Sequence, residues 1–398
     1  MKKKILLLGG SYGQLPAIEE AKRRGLYTIL CDYLPDNPGR SLVDKFYEIS
    51  TTDKKTVLEI AVKHQVDAVL AYASDPAAAT QAYVSNKLGL SGNTERSIHL
   101  LSNKNAFRKF QKENNFKTPE FQTFSKDQFT DLDTLSLDFP VVVKPVDSSD
   151  TKGVYTLDNA IELKEKAEIA LSFSKVKKII VEKYINAETG DLHGDGFFMD
   201  GEMIFCMLGD RIFNAASNPL KPVADLSPSR LPVSVLSRVE KDVAAVVHRS
   251  GFKNGPVNIE AKVDKAGNVY VMEIGPRSGG LLNPQYIQYC CGANTLKATF
   301  DLLLNNSVEL SEKKALPTVK YILHSNRYGF FDSFDLNKNL LPFVVEKQIF
   351  VQPGDKVKPF SEAGSSIGVL IMKFPDFTVV DRYLGTLYET VQASIKLR

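Results

Sequence analysis

The chain reads as a multidomain protein of mixed α/β and α+β class. A parallel α/β domain comes first, a two-lobed α+β region follows, and a β-rich C-terminal subdomain ends it. Three observations carry this reading. The 398 residues exceed what one ordinary hydrophobic core holds, so more than one domain is expected. Residues 1–103 alternate short apolar runs with helical spacing, the pattern of parallel strands joined by helices. Beyond residue 104 strands follow one another more closely, and from Thr318 onward proline and glycine punctuate a strand-rich end.

Within the first region, 4–8 is a strand, 9–14 a loop, and 15–25 a helix stopped by glycine. A strand over 27–31 ends at Asp32. Helices near 54–64 and 76–88 flank a strand over 68–71. A charged helix over 103–114 opens the second region. Strands over 118–124, 140–144, 154–155 and 179–182, with a lysine-rich helix between, make a small α+β lobe covering about 117–187. A second sheet runs through 194–209 and 257–275, and 294–304 is helical.

Composition narrows the function classes. With 43% hydrophobic and 24% charged residues the chain is of globular type. A net charge of +3, with both signs interspersed, offers no basic stripe for nucleic acid. No apolar run is long enough to span a bilayer. The start, Met1-Lys2-Lys3-Lys4 followed by Ile5–Leu8, runs into a glycine loop instead of a cleavage site, so it reads as a first strand and not as a leader. Cys31, Cys206, Cys290 and Cys291 have no metal or redox spacing and read as free thiols, which points to a reducing, cytoplasmic setting.

The segment 257–275 is the most informative. Two alternating runs flank the turn Lys265-Ala266-Gly267-Asn268, which predicts a hairpin. An even-length loop centred there places Glu260 opposite Glu273. Val257, Ile259, Ala261, Val263, Tyr270, Met272 and Ile274 then form a core face. Asn258, Glu260, Lys262, Glu273 and Gly275 form the other. Like charges directly opposed are destabilising. A divalent cation would relieve them, because magnesium takes one or two carboxylates plus phosphate oxygens. A solvated hairpin with both acids in water explains the pattern equally well on its own.

Two further stretches point to a nucleotide. In 139–155 a buried strand ends in Lys144, and a loop of Ser, Asp, Thr and Gly follows. Backbone N–H groups in such a loop close over phosphate oxygens, and the lysine adds a point charge. An ordinary long hairpin turn is the plainer account. In 179–185, Glu182 and Lys183 break an apolar strand that could offer backbone groups to an adenine edge. The N-terminal loop with Gly9, Gly10 and Gly13 lacks the spacing of a dinucleotide fingerprint, although Asp32 stands where a ribose-binding acid would.

In order and spacing, these pieces resemble the ATP-grasp superfamily, of the carboxylate–amine ligase type, over nearly the whole chain. The resemblance implies a pre-ATP-grasp α/β domain over 1–103, an ATP-grasp domain over 104–310, and a C-terminal subdomain over 311–398. It implies ATP as co-substrate and magnesium or manganese as metal. Lys104 and Lys144 correspond to the ATP lysines, and Ser148, Ser149 and Gly153 to the phosphate lid. Glu182, Lys183 and Ile185 correspond to the adenine hinge, with Glu188 preferred over His193 at the ribose. Glu260 and Glu273 correspond to the metal glutamates and Arg277 to the arginine that steadies the acyl phosphate. Two positions depart from the family pattern. Gly275 stands where asparagine is usual, so Asn258 is the expected substitute ligand. Asp150 stands in the lid where glycine is usual.

The implied reaction activates a carboxylate with ATP as an acyl phosphate and joins it to an amine, releasing ADP and phosphate. The alternatives are a relative that phosphorylates bicarbonate to carboxylate an amine, and a nucleotide-binding module without catalysis. The partners are a small-molecule carboxylate and amine, with no nucleic acid and no membrane. Relatives often dimerise, so a homodimer is compatible with the resemblance. Arg211 and Arg230 are candidates for an acidic substrate, with solvated surface arginines as the plainer account of each.

Overall fold

A computed structural model of the chain describes residues 2–149, 151–214, 221–361 and 363–396. In the N-terminal region four parallel strands, β1 (Lys4–Leu8), β2 (Tyr27–Asp32), β3 (Lys45–Glu48) and β4 (Ala68–Leu70), lie in the order β3-β2-β1-β4. The apolar runs are continuous because both faces are covered. Ile5, Leu7, Leu30 and Leu70 pack on α1 (Leu15–Arg23), while Leu6, Leu8, Ile29 and Val69 pack on α2 (Lys54–His64) and α3 (Asp75–Leu88). The strand β3 was missed in the sequence, where its exposed, charged ends hide the pattern.

Two short helices, α4 (Glu95–Ser102) and α5 (Lys104–Glu113), lead out of this region. Asn103 caps α5, its side chain accepting from the Ala106 N–H. A second sheet, ordered β5-β8-β6-β7, contains β5 (Phe121–Ser125), β6 (Val141–Pro145), β7 (Tyr155–Leu157) and β8 (Lys178–Lys183). The helix α6 (Leu163–Phe173) packs on it through Leu163, Ala167, Ala170 and Leu171.

The largest sheet has eight strands in the order β13-β12-β9-β10-β11-β14-β18-β16. These are β9 (Gly190–Met199), β10 (Glu202–Phe213), β11 (Pro222–Ser227), β12 (Gly255–Val263), β13 (Val269–Gly275), β14 (Thr318–Leu323), β16 (Val344–Ile349) and β18 (Gly368–Lys373). The C-terminal strands β14, β18 and β16 thus extend the same sheet as the hairpin. A small sheet of β15 (Gly329–Leu336), β17 (Lys356–Val357) and β19 (Val391–Lys396) covers them, with α10 (Phe377–Leu384) and α11 (Leu387–Thr390).

The helix α7 (Val233–Ser250) supports the hairpin from below. Val239, Val243, Val246 and Val247 recur at helical spacing and enter the same core as Val257, Ile259 and Ile274. Its valine-rich sequence obscured it, because β-branched residues are weak helix formers. Two more helices, α8 (Asn283–Cys291) and α9 (Thr295–Leu303), follow the hairpin. From α9 and the residue after it, Phe300, Leu303 and Leu304 pack into the core under β1 and β4.

Candidate functional site

The hairpin β12–β13 is antiparallel, with Glu260 opposite Glu273 and Asn258 opposite Gly275. Its register carries one correction to the sequence reading. Near the turn the pairs are Val263 with Val269 and Ala261 with Val271; the register then shifts, so that Met272 is an inserted bulge residue. Consequently Val269 and Val271 enter the core, and Tyr270 and Met272, expected there, do not. The expected pairing of the acids emerges from an odd-length loop plus one bulge.

Both glutamates face cations. Glu273 Oε2 lies 3.2 Å from Lys104 Nζ, and Glu260 Oε1 lies 2.6 Å from Arg211 Nη2. Burial works to raise the Glu260 carboxyl, but the charge and hydrogen bonds of Arg211 outweigh it and hold it down to about 2. Burial alone would also lower Lys104, yet the Glu273 charge carries it above its ordinary value. Arg211 is 14% exposed, so the solvated-surface account fails for it; Arg230, paired to Asp381 on the outside, conforms to it.

Lys104, the first residue of α5, also donates to the backbone carbonyl of Ser148 at 2.9 Å. One turn on, Arg108 is almost fully buried and donates to Glu182 Oε1 at 2.9 Å and to the Met272 carbonyl at 2.8 Å. Lys144 Nζ meets Glu182 Oε2 at 2.6 Å from the neighbouring strand. Burial tends to raise the Glu182 carboxyl, but Arg108 and Lys144 hold it down to about 2. Burial likewise lowers Lys144, with the Glu182 charge opposing. The Glu182 side chain therefore points inward, and Lys183 points outward to Glu120 and Asp138. Both side chains are thus engaged away from the backbone edge of this segment.

The loop after β6 is tied at both ends. Asp147 accepts from Ser174 Oγ at 2.7 Å and from the Val176 N–H at 3.0 Å. Gly153 has φ +72°, and a Cβ there would meet Phe173 at 2.9 Å and Pro145 at 3.1 Å. No other residue fits that approach of the loop to α6. Asp150 lies outside the described residues. Ser148 Oγ reaches the Ser149 carbonyl at 3.5 Å. Beyond the hinge, Ile185 and Glu188 line a cavity of about 320 Å³ with Tyr184, Asn186 and the hairpin turn. His193 stands elsewhere, opposite Glu260, with Nδ1 3.3 Å from Asp225 and Nε2 2.9 Å from Asn258 Nδ2.

Asn258 is buried, and its amide nitrogen is turned to β9, towards His193, the Gly194 carbonyl and Asp195 Oδ1. Arg277 is 13% exposed and forms a two-point ion pair with Asp75 at the start of α3, Nε and Nη2 each at 2.8 Å. The exposed surface pair that would be its plainest explanation is excluded by that burial.

Besides His193, weighed above only for the ribose, the same sheet face carries several polar groups that sequence reading passed over. Asp191, His193 and Asp195 alternate along β9; Asp225 on β11 and Lys320 on β14 pair directly at 2.9 Å. Lys320 also donates to Asn283 at 2.8 Å. The signal was present as a lone charge inside each of the apolar runs Val223–Leu226 and Val319–Leu323, which requires a buried partner.

A family model described as an ATP-grasp domain matches residues 137–285. A formate-dependent phosphoribosylglycinamide formyltransferase from Prochlorococcus marinus is 30% identical over 280 residues, covering 69% of this chain and 70% of that protein. This chain belongs to the ATP-grasp family. It is an ATP-dependent enzyme that activates a carboxylate as an acyl phosphate and joins it to an amine. The ATP-grasp fold extends over the whole chain. An L-amino acid ligase from Bacillus licheniformis superposes with a TM-score of 0.83 at 20% identity, covering 99% of each chain. A phosphoribosylglycinamide synthetase from Anaerococcus prevotii superposes with a TM-score of 0.76 at 20% identity, covering all of both. Among the described residues no helix is long and apolar enough to cross a membrane.

Proposed function

We propose that the ligase chemistry of this ATP-grasp protein is carried out between the hairpin β12–β13 and the lobe of β5–β8. The single observation that carries this assignment is the position of Lys104. Its ammonium touches the lid backbone at Ser148 and the carboxylate of Glu273 at once. Three stretches of the chain, with Ser148 lying 44 residues beyond Lys104 and Glu273 a further 125 on, thus meet at one cation, where a polyphosphate would be held.

In this reading the adenine lies against the backbone of Glu182 and Ile185, and the ribose near Glu188. Lys104 and Lys144 face the phosphates as point charges, and the backbone around Ser148, Ser149 and Gly153 closes over them. Glu182 and Arg108 aim Lys144 and do not touch the nucleotide. Among the described residues no cluster of three or more acidic, histidine or cysteine side chains forms a self-contained metal site. Two carboxylates directly opposed across a hairpin, open towards a phosphate site, fit an ion that takes its other ligands from phosphate and water. Glu260 and Glu273 would hold magnesium or manganese, with the Asn258 oxygen as the third protein ligand. The metal would supply charge neutralisation on the phosphate oxygens.

The chain's own residues then have defined tasks. A carboxylate oxygen of the acid attacks the γ-phosphorus, the bond to the β–γ bridging oxygen breaks, and ADP leaves. Lys104 and Lys144 offset the charge that accumulates on the departing phosphate oxygens. The amine attacks the acyl carbon, phosphate leaves, and the nitrogen gives up a proton. Arg277 presents a planar fork to the oxyanion formed in either step. We place the enzyme in the cytoplasm and take a homodimer as the assembly to test by sedimentation.

The test is ADP release with formate, bicarbonate and the twenty amino acids as acids, each crossed with ammonia, glycinamide and the amino acids as amines. Glu273→Ala is the blank. Amide-forming turnover that falls at least a hundredfold in the blank is expected. A blank that keeps full rate sinks the metal assignment, and ADP release that needs bicarbonate alone moves the protein to the carboxylating branch.

A further inference from the structure

Gly275 and Asp75 together explain how Arg277 is placed. A Cβ built on Gly275 would lie 3.0 Å from Arg277 Cζ and 3.2 Å from both terminal nitrogens. The guanidinium therefore lies flat against the bare backbone of β13. That contact is tighter than most Cβ contacts, so a side chain here displaces the fork by a few tenths of an ångström. Asp75 then fixes its rotation. The carboxylate takes Nε–H and Nη2–H, one oxygen to each, and the Ser278 carbonyl accepts from Nη1 at 3.2 Å.

Of five N–H groups on the guanidinium, three are spent on these partners. Two remain, one on each terminal nitrogen, which is the set that grips two oxygens of one anion. Both partners are largely shielded from water, with 13% and 20% of their side chains exposed. Asp75 belongs to the N-terminal region, at the first turn of α3, where Pro76 follows it. A residue 202 positions away in sequence thus sets the attitude of the arginine beside the metal strand.

We propose that Asp75 and Gly275 are positioning residues that preset Arg277 for an oxyanion, so that anion binding depends on the N-terminal region being docked. The inference rests on the ligase reading above for its use but on geometry for its content. It accounts for the departure at Gly275: the space an asparagine side chain would take is occupied by the arginine.

The test uses the full chain loaded with magnesium and ADP, titrated with inorganic phosphate as the oxyanion probe by calorimetry. Asp75→Asn keeps the size but loses the charge; Gly275→Ala approaches the same contact from the other side; Asp75→Glu restores the charge. Phosphate affinity is expected to fall at least tenfold in D75N and in G275A and to recover to within about threefold of wild type in D75E. ATP affinity should stay unchanged, whereas an ion pair that merely held the fold together would weaken both ligands alike when lost. In an Arg277→Lys background, D75N should cost nothing further. Wild-type phosphate affinity in D75N, or losses that multiply in the double variant, would overturn the proposal, as would a wild type that binds no phosphate. A protein that shows the expected pattern yet releases no ADP in the acid–amine screen refutes the ligase reading and leaves the positioning role standing.

Discussion

Glu182 is the residue on which most of the buried charge depends. Two cations, Arg108 and Lys144, share its carboxylate in a place that water barely reaches, with Glu182 and Arg108 each 1% exposed. Removing the negative charge leaves two buried cations uncompensated, which costs roughly 3–5 kcal/mol. Glu182→Gln should therefore lower the stability measured by urea unfolding by about that amount, and it should weaken ATP binding because Lys144 loses its aim. The same carboxyl sets an acid limit. Its folded value of about 2 lies below the ordinary 4.5, so its contribution is present in full above pH 4.5 and is lost as the pH falls towards 2. Between pH 5 and pH 3 unfolding free energy should drop by on the order of 2 kcal/mol from this group, and the drop should be absent in E182Q. An equal drop in E182Q would show that other carboxylates carry the acid sensitivity.

The bulge at Met272 shows why an element can be legible in outline and not in register. Alternation of apolar and polar residues revealed a hairpin and put the two glutamates face to face. It could not reveal that the loop is odd and that one residue is extra, because the two errors cancel at Glu273 and survive only at Val269–Met272. The extra residue has a structural use. Its carbonyl accepts from Arg108 Nη2 at 2.8 Å, and the carbonyl before it accepts from Gln111 Nε2 at 2.8 Å, so the bulge binds α5 to β13. Deleting Met272 should leave Glu273 opposite Glu260 in a regular ladder yet remove the Arg108 contact. Lys104 and Lys144 would then be less well aimed. The expected result is a folded protein whose ATP affinity is at least tenfold lower and whose turnover still requires magnesium. Loss of the metal requirement would mean that the bulge, and not the pairing of the acids, builds the metal site. Lys144 and the segment 179–185 stood out because each sets charge against an apolar strand; Asp75 carries no such signal, since an acid opening a helix is ordinary and its partner lies two hundred residues away.

At the scale of the whole molecule, the N-terminal region is completed by a helix that arrives three hundred residues later. Phe300, Leu303 and Leu304 are all buried in the same core as Ile5, Leu7, Ile18 and Leu70. Arg24 closes the edge, donating to Asp301 Oδ1 at 2.6 Å and to the Lys297 carbonyl at 3.0 Å. The alternating strands and helices of 1–103 announced a parallel sheet, but nothing local to that stretch announced what covers the face under β1 and β4, because the covering residues are distant in sequence. One consequence follows for stability. Without α9 the sheet would expose the apolar surface that Phe300 and its neighbours bury, at about 25 cal/mol per Å², so residues 1–103 alone should fail to hold a stable fold. Hydrogen exchange on that fragment should find β1 and β4 unprotected, whereas in the full chain they exchange slowly. Phe300→Ala in the full chain should cost roughly 3–5 kcal/mol and, because Asp75 is carried by the weakened region, should also lower phosphate affinity at the site of Arg277. A stable, protected fragment 1–103 would show instead that α9 is a passenger on a self-sufficient domain, and the coupling between docking of this region and the arginine would then have to run through Asp75 alone.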